Sequence, residues 1–239
     1  WTMDYSGFDD LVVEVSDGVA VWRINRPERL NAMRTPTFYE IIELGHLLKA
    51  DDDVRVVVAT GTGRGFSSGA DVGGTPDGEA APKRSRAEQT DSMGVSAIAL
   101  AMPELDKPSI AAVNGVAAGA GMALACSFDI RIVGPDARFL TVFVRRALAP
   151  DCGLSWFLPQ LVGPSVAKGL LYTSREIGAE EAVRIGLGNR SEDDPEAAAI
   201  EMARELAQGP PLSMMFAKRE VQGSAGLSLR QAVEVEWAA

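Results

Sequence analysis

Residues 110–126 read IAAVNGVAAGAGMALAC, an apolar strand, a sharp turn at Asn114-Gly115, and a glycine-alanine run leading into a helix. Residues 61–72, GTGRGFSSGADV, have the same plan after a second apolar strand, VRVVVATG over 54–61. Small residues at both turns let another backbone or a ligand come close. The first amides after each turn have no helical acceptor and are left to bind an anion. Two such turns side by side would pinch one oxygen atom between two N–H groups.

Working outward, LVVEVS (11–16) and VAVWRIN (19–25) form a hairpin pattern closed by Asp17-Gly18. NRPERLNAM is a loop, and Thr35-Pro36 starts a helix with Thr35 as N-cap and with Phe38, Ile41, Ile42 and Leu48 on one face. Residues 73–91 are poor in apolar side chains and rich in Gly, Pro and charge, so they read as a loop before a helix ending near Met102. FDIRIVG (128–134) and ARFLTV are strands, and ALAPDCG (147–153) is a turn. SWFLPQLVGPSVAKGLLYT is helical with breaks at Pro159 and Gly163-Pro164, and three helices follow from Pro195. Alternating strands and helices argue an α/β fold.

The chain of 239 residues can bury a sizeable core as one large domain, or as one domain with a helical appendage. A net charge of −10 opposes a nucleic-acid footprint or an anionic membrane surface. Cys126 and Cys152 make no disulfide framework and read as reduced thiols of a cytoplasmic protein. No apolar run is long enough to span a membrane, and WTMDYSGFDD lacks the zones of a signal peptide. A start at Trp1 and a stop within a helical pattern are expected to leave both ends incomplete. The only histidine, His46, falls on the polar face of the first helix with Tyr39 and Glu43, which argues against Ser-His-Asp and Cys-His mechanisms. One histidine and two distant cysteines supply no plausible metal site.

The F-S-S-G-A-D segment, followed about 45 to 50 residues on by A-A-V-N-G-V-A-A-G-A-G, resembles the crotonase superfamily, the enoyl-CoA hydratase/isomerase proteins. The resemblance runs from NRPERLNAM to PPLSMMFAKR. GAEEAVRIGLGNR (178–190) is similar to another family segment, with Gly188 in place of the usual valine. The resemblance implies a ClpP/crotonase-like spiral of ββα repeats over residues 1–190 and a C-terminal helical trimerisation region over 191–239. It implies homotrimers, often paired as hexamers, whose interface Met202, Leu206, Met214, Met215 and Phe216 could serve, although ordinary intrachain core is the default for apolar helical stripes. It also implies a coenzyme A thioester as substrate, with no separate cofactor. The paired oxyanion donors would be the amides of Ser68 and Ala120, with Ala120 replacing a usual glycine.

In such a site the barrier lies in building negative charge on the thioester oxygen, and each amide donor lowers it by about 3–4 kcal/mol. Hydratases of the family use two glutamates; the matching positions here are Ala123 and Phe143, neither of which can move a proton. Asp151, in A-P-D-C-G, matches the aspartate of the double-bond isomerases. An apolar pocket would raise its pKa and suit it to shuttle a proton; the other reading is a helix cap near Ser155. Aroyl-CoA dehalogenases place a nucleophilic aspartate here but also need a histidine before Met102, which is missing. For the CoA, the resemblance points to Arg26, Arg29 and Arg34, the backbone of Asn31 and Ala32, the edge at Asp71, and Lys218 reaching a neighbouring subunit's ligand. The expected activity is enoyl-CoA isomerisation. The alternatives are hydration assisted by Glu79 or Glu88 from the 77–91 loop, and acyl-CoA binding without turnover.

Overall fold

The computed structural model describes residues 3–71 and 93–238. β1 (Leu11–Ser16) and β2 (Val19–Ile24) pair antiparallel, with Ser16 opposite Val19. Asp17 and Gly18 both take positive φ, 53° and 78°, as a two-residue hairpin turn of this hand requires. α1 (Thr35–Ala50) follows the 26–34 loop. The chain then supplies strands alternately to two sheets. β3 (Val56–Gly61), β5 (Ser109–Val113) and β7 (Ile130–Val133) extend a six-stranded sheet, each followed at once by β4 (Gly65–Ser67), β6 (Val116–Ala118) or β8 (Arg138–Leu140) of a four-stranded one. α2 (Ile98–Ala101) precedes β5, and α3 (Ala120–Ser127) follows β6. α4 (Leu154–Val162) and α5 (Pro164–Thr173) follow β8. β9 (Ile177–Gly178) closes the smaller sheet, α6 (Ala179–Arg184) crosses back, and β10 (Arg190–Ser191) closes the larger one. This is the spiral of ββα repeats.

The β3 and β5 runs are apolar throughout because both faces of their sheet are covered. Val57, Ala59, Ala111 and Val113 point into the main core, whereas Val56, Val58, Ile110 and Ala112 point into a second cluster behind it. α7 (Pro195–Ala207) covers that second face with Ala199, Ala203 and Ala207, a small-residue stripe at helical spacing. Met202 and Leu206 pack against the same cluster, as the intrachain-core reading expects of them. The packed core thus runs on to Ala207, past the division expected at residue 190.

α8 (Pro211–Gly223) buries no residue, and α9 (Leu229–Ala238) leaves Leu229 and Trp237 more than 80% exposed. α8 is nonetheless pinned by Lys218. Its ammonium donates to the carbonyls of Met102 and Lys107, both at 3.0 Å, and to Asp129 Oδ2 at 2.9 Å. Burial lowers its pKa, against the attraction of Asp129. Lys218 is therefore spent within its own chain and does not reach toward a neighbour's ligand.

Two local readings shift. Pro159 lies inside α4 without ending it, and the break comes only at Gly163, whose φ of 79° begins the turn into Pro164. The cap of α1 is Arg34, one residue before Thr35. No helix among the described residues is long and apolar enough to cross a membrane.

Candidate active site

The two turns after β4 and β6 meet back to back. A methyl added to Gly121 would lie 2.3 Å from the Ser67 carbonyl oxygen. One added to Gly69 would lie 2.5 Å from the Ala118 carbonyl oxygen and 3.5 Å from the Ala120 nitrogen. Only glycine lets the backbones approach this closely, and Gly69 also holds a φ of 93°. The Ala120 amide, first of α3, donates to no described residue; the first intrahelical bond of this turn is Ala123 N–H to the Gly119 carbonyl at 2.9 Å.

The first turn corrects the expected donor. The Ser68 amide donates to the Leu30 carbonyl at 2.9 Å, Gly69 donates to Ser67 Oγ at 3.2 Å, and Asp71 donates to the Met33 carbonyl at 2.8 Å. From Ser68 to Asp71 the one amide without an acceptor among the described residues is that of Ala70. Ser68 is therefore not an open donor; Ala70 is. The sequence signal was the glycine itself. Its left-handed φ breaks the alternation of an extended segment, so Ser68 and Asp71 both turn toward residues 30–33.

Around Ala120 the surroundings are apolar. Ala123 is fully buried on α3, and Phe143, Cys152, Leu154 and Phe157 join it and Ala120 in the main core. Asp151 does not share that burial: it is exposed, so the apolar enclosure expected of it is not met. It is not a helix cap either. The α4 cap is Gly153, with no side-chain hydrogen bond, and Leu154 N–H takes the Asp151 main-chain carbonyl at 3.0 Å. The next thiol, Cys152, is buried with a φ of 48°. Burial first, then the charge and hydrogen bond of Asp151, push its pKa up to about 12. Burial also lifts Cys126 to about 11, against the pull of Arg131. Neither is a thiolate at neutral pH, so neither is a ready nucleophile.

The 26–34 loop is an internal ion network. Arg26 Nη1 lies 3.1 Å from Asp71 Oδ2 and also donates to the Ala32 carbonyl, while Arg34 forks onto Asp10 at 2.7 and 2.9 Å. Asn31, fully buried, donates from Nδ2 to the carbonyls of Thr62 (3.0 Å) and Gly65 (2.6 Å), and its own amide goes to the Arg26 carbonyl. The Ala32 amide goes to Arg29. Arg26, Arg34, Asn31 and Ala32 thus hold the loop against the first turn rather than standing open to a nucleotide. Arg29 differs: its side chain is 53% exposed and its ion pair to Asp71 Oδ1 is longer, at 3.5 Å. Asp71 therefore braces the loop.

Burial would raise the Asp10 pKa, but hydrogen bonds from Arg34 and Thr37 and the charges of Arg34 and Arg26 outweigh it and hold it below the ordinary carboxylate value. A carboxyl with a depressed folded pKa stabilises above its unfolded value of about 3.9 and loses that stabilisation as pH falls through the folded one. Asp10→Asn should therefore cost about 2–3 kcal/mol at pH 7. Denaturant melts at a series of pH values should show the deficit shrinking only below about pH 4.

His46 is exposed, beside a cavity between α1 and α2 rather than beside Ala120. Glu79 and Glu88 lie outside the described residues. Among the described residues no group of three His, Cys, Asp or Glu side chains could hold a metal ion.

The family profile described as enoyl-CoA hydratase/isomerase matches residues 14–238. The chain belongs to the enoyl-CoA hydratase/isomerase family. Its members diverge in chemistry. The 1,2-epoxyphenylacetyl-CoA isomerase of Escherichia coli K12 is 34% identical over 231 residues, covering 95% of this chain and 87% of that protein. The 4-chlorobenzoyl coenzyme A dehalogenase-2 of Arthrobacter sp is 33% identical over 226 residues, covering 94% and 82%. A solved structure from Thermobifida fusca YX, described as an enoyl-CoA hydratase in complex with CoA, superposes with a TM-score of 0.85. It is 33% identical, covering 96% of this chain and 90% of that one. Isomerase, dehalogenase and hydratase names thus all sit on the enoyl-CoA hydratase/isomerase fold found here.

Proposed function

We propose that this family member shifts the double bond of an enoyl-CoA. The amides of Ala70 and Ala120 hold the thioester oxygen while the Asp151 carboxylate takes a proton from C2 of a 3-enoyl-CoA. The C–H electron pair becomes the enolate, whose charge rests on the oxygen between the two amides. Asp151, now a carboxylic acid, returns the proton to C4, and the double bond ends between C2 and C3. One carrier suffices for this 1,3 shift, whereas adding water needs groups to position and activate it. The observation that carries the reading is that buried Ala123 and Phe143 occupy both positions where the family's hydratases carry glutamate. The acyl-CoA class rests on the CoA-bound relative, and Arg29 is the phosphate contact we assign.

The apolar side chains left open on α8 and α9 suit a second copy of this chain, so a trimer or a pair of trimers in the cytoplasm completes the reading. The test is direct: purified protein offered 3-enoyl-CoA should accumulate 2-enoyl-CoA, and offered 2-enoyl-CoA should form little 3-hydroxyacyl-CoA. Rapid hydration would sink the isomerase assignment, and binding without turnover would leave a carrier.

A further inference from the structure

The Ala120 amide follows a glycine, and a glycine does not hold a peptide plane by itself. Gly119 has φ 51° and ψ −119°, a region that side chains shun, and rotation about its ψ would swing the Ala120 N–H out of line. On one side Gly119 is fixed by its own N–H, which donates to the Leu140 carbonyl at 2.9 Å, and its carbonyl, in the same plane as the Ala120 N–H, accepts one bond from Ala123 N–H at 2.9 Å, which leaves the plane free to tilt about that single contact. On the other it meets Val142: a methyl added to Gly119 would lie 3.0 Å from Val142 Cγ2. Val142 is itself in an unusual state, with φ 53° and ψ −16°. Left-handed backbone is a true outlier for a β-branched residue and persists only where the surroundings over-determine it.

The surroundings do so here. Before Val142, Thr141 is buried with Oγ1 3.1 Å from the Leu170 carbonyl and 3.0 Å from Ser174 Oγ. After it, Phe143 N–H reaches back to the Thr141 carbonyl at 2.8 Å, and Arg145 donates to the Ser174 carbonyl. The two flanks are anchored to the end of α5, which holds the half-buried Val142 with its Cγ2 over the space beside Gly119.

Resting on the reading of Ala120 as an oxyanion donor, we infer that Val142 is a positioning residue: its side chain, held beside Gly119 by the Thr141 and Ser174 anchors, sets the plane of the Gly119–Ala120 peptide. Ordinary packing would have chosen a residue at ease with positive φ. A β-branched side chain kept there costs backbone energy and returns a rigid donor, which is what preorganised oxyanion stabilisation needs.

The test compares Val142→Gly with Val142→Thr. Glycine removes Cγ2 and relieves the φ, so its thermal midpoint should be no lower than the parent's. Yet its isomerisation kcat should fall about tenfold to a hundredfold, short of losing a donor outright, with KM within about twofold. Threonine keeps the branch and should retain activity within about threefold of the parent. A second readout needs no turnover: the ultraviolet absorbance of bound acetoacetyl-CoA reports how much enolate the site stabilises. The parent and Val142→Thr should show the enolate band, and Val142→Gly a clearly weaker one. An equal band and equal kcat in Val142→Gly overturn the inference, as does a lost kcat that merely tracks a lowered midpoint. No enolate band in the parent overturns the oxyanion reading itself.

Discussion

Asp151→Asn is expected to lower turnover of 3-enoyl-CoA by about a thousandfold, within the range a lost general base commands, while KM changes by about twofold or less. Asparagine keeps the shape and removes only the basic lone pair, so binding energy from the CoA is untouched. The fold should not notice the change. The Asp151 side chain is exposed and caps nothing, the turn into α4 being held by its main-chain carbonyl, and an asparagine oxygen can still accept from the Cys152 thiol. A thermal midpoint within about 2 °C of the parent is therefore part of the expectation. A loss below about tenfold in steady-state assays would take the proton-carrying role from Asp151. Because the carboxylate faces water, ligand binding must supply the desolvation that a resting apolar pocket does not.

Gly121→Ala should be strongly damaging and should strike the candidate site itself. The new methyl would meet the Ser67 carbonyl oxygen at 2.3 Å, its side-chain carbon at 2.8 Å and its carbonyl carbon at 2.9 Å. These are mostly backbone atoms of a buried strand, and Ser67 Oγ is already tied to the Asn31 carbonyl at 2.8 Å. β4 and α3 must separate, at about 3 kcal/mol, or roughly 6–12 °C of thermal midpoint for a domain of this size. The same separation pulls the Ala120 amide away from the first turn, so catalysis should fall with stability. Gly169→Ala is the control: it lies within α5 with nothing inside 4 Å of the added carbon. It should stabilise by about 0.5–1 kcal/mol. Calorimetry that finds Gly121→Ala as stable as the parent would mean the two turns do not touch as described.

The hairpin at Asp17-Gly18 and the strands of the larger sheet were legible because turn chemistry and apolar runs are local signals. So were the two glycine turns, since only small residues survive so close an approach. The choice between Ser68 and Ala70 was not legible. It depends on which amides the 30–33 segment has already taken, and that segment is more than thirty residues away in the chain. The arginines of 26–34 misled for the same reason: their partners, Asp10 and Asp71, lie on either side in sequence and converge only in space. The place of α7 on the larger sheet was not legible because an alanine stripe carries little apolar signal, although its smallness is what seats it there. Pro159 looks like a break in sequence, but it sits at the sixth position of the nine-residue α4, which runs past it.

A crystal structure with acetoacetyl-CoA bound examines the central claim most closely. The thioester oxygen should lie about 2.7–3.1 Å from both the Ala70 and the Ala120 nitrogens, with the Ser68 amide still on the Leu30 carbonyl and Asp151 facing C2. An oxygen held by Ser68, with the Leu30 carbonyl turned away, would contradict the account, and so would an oxygen touching neither turn.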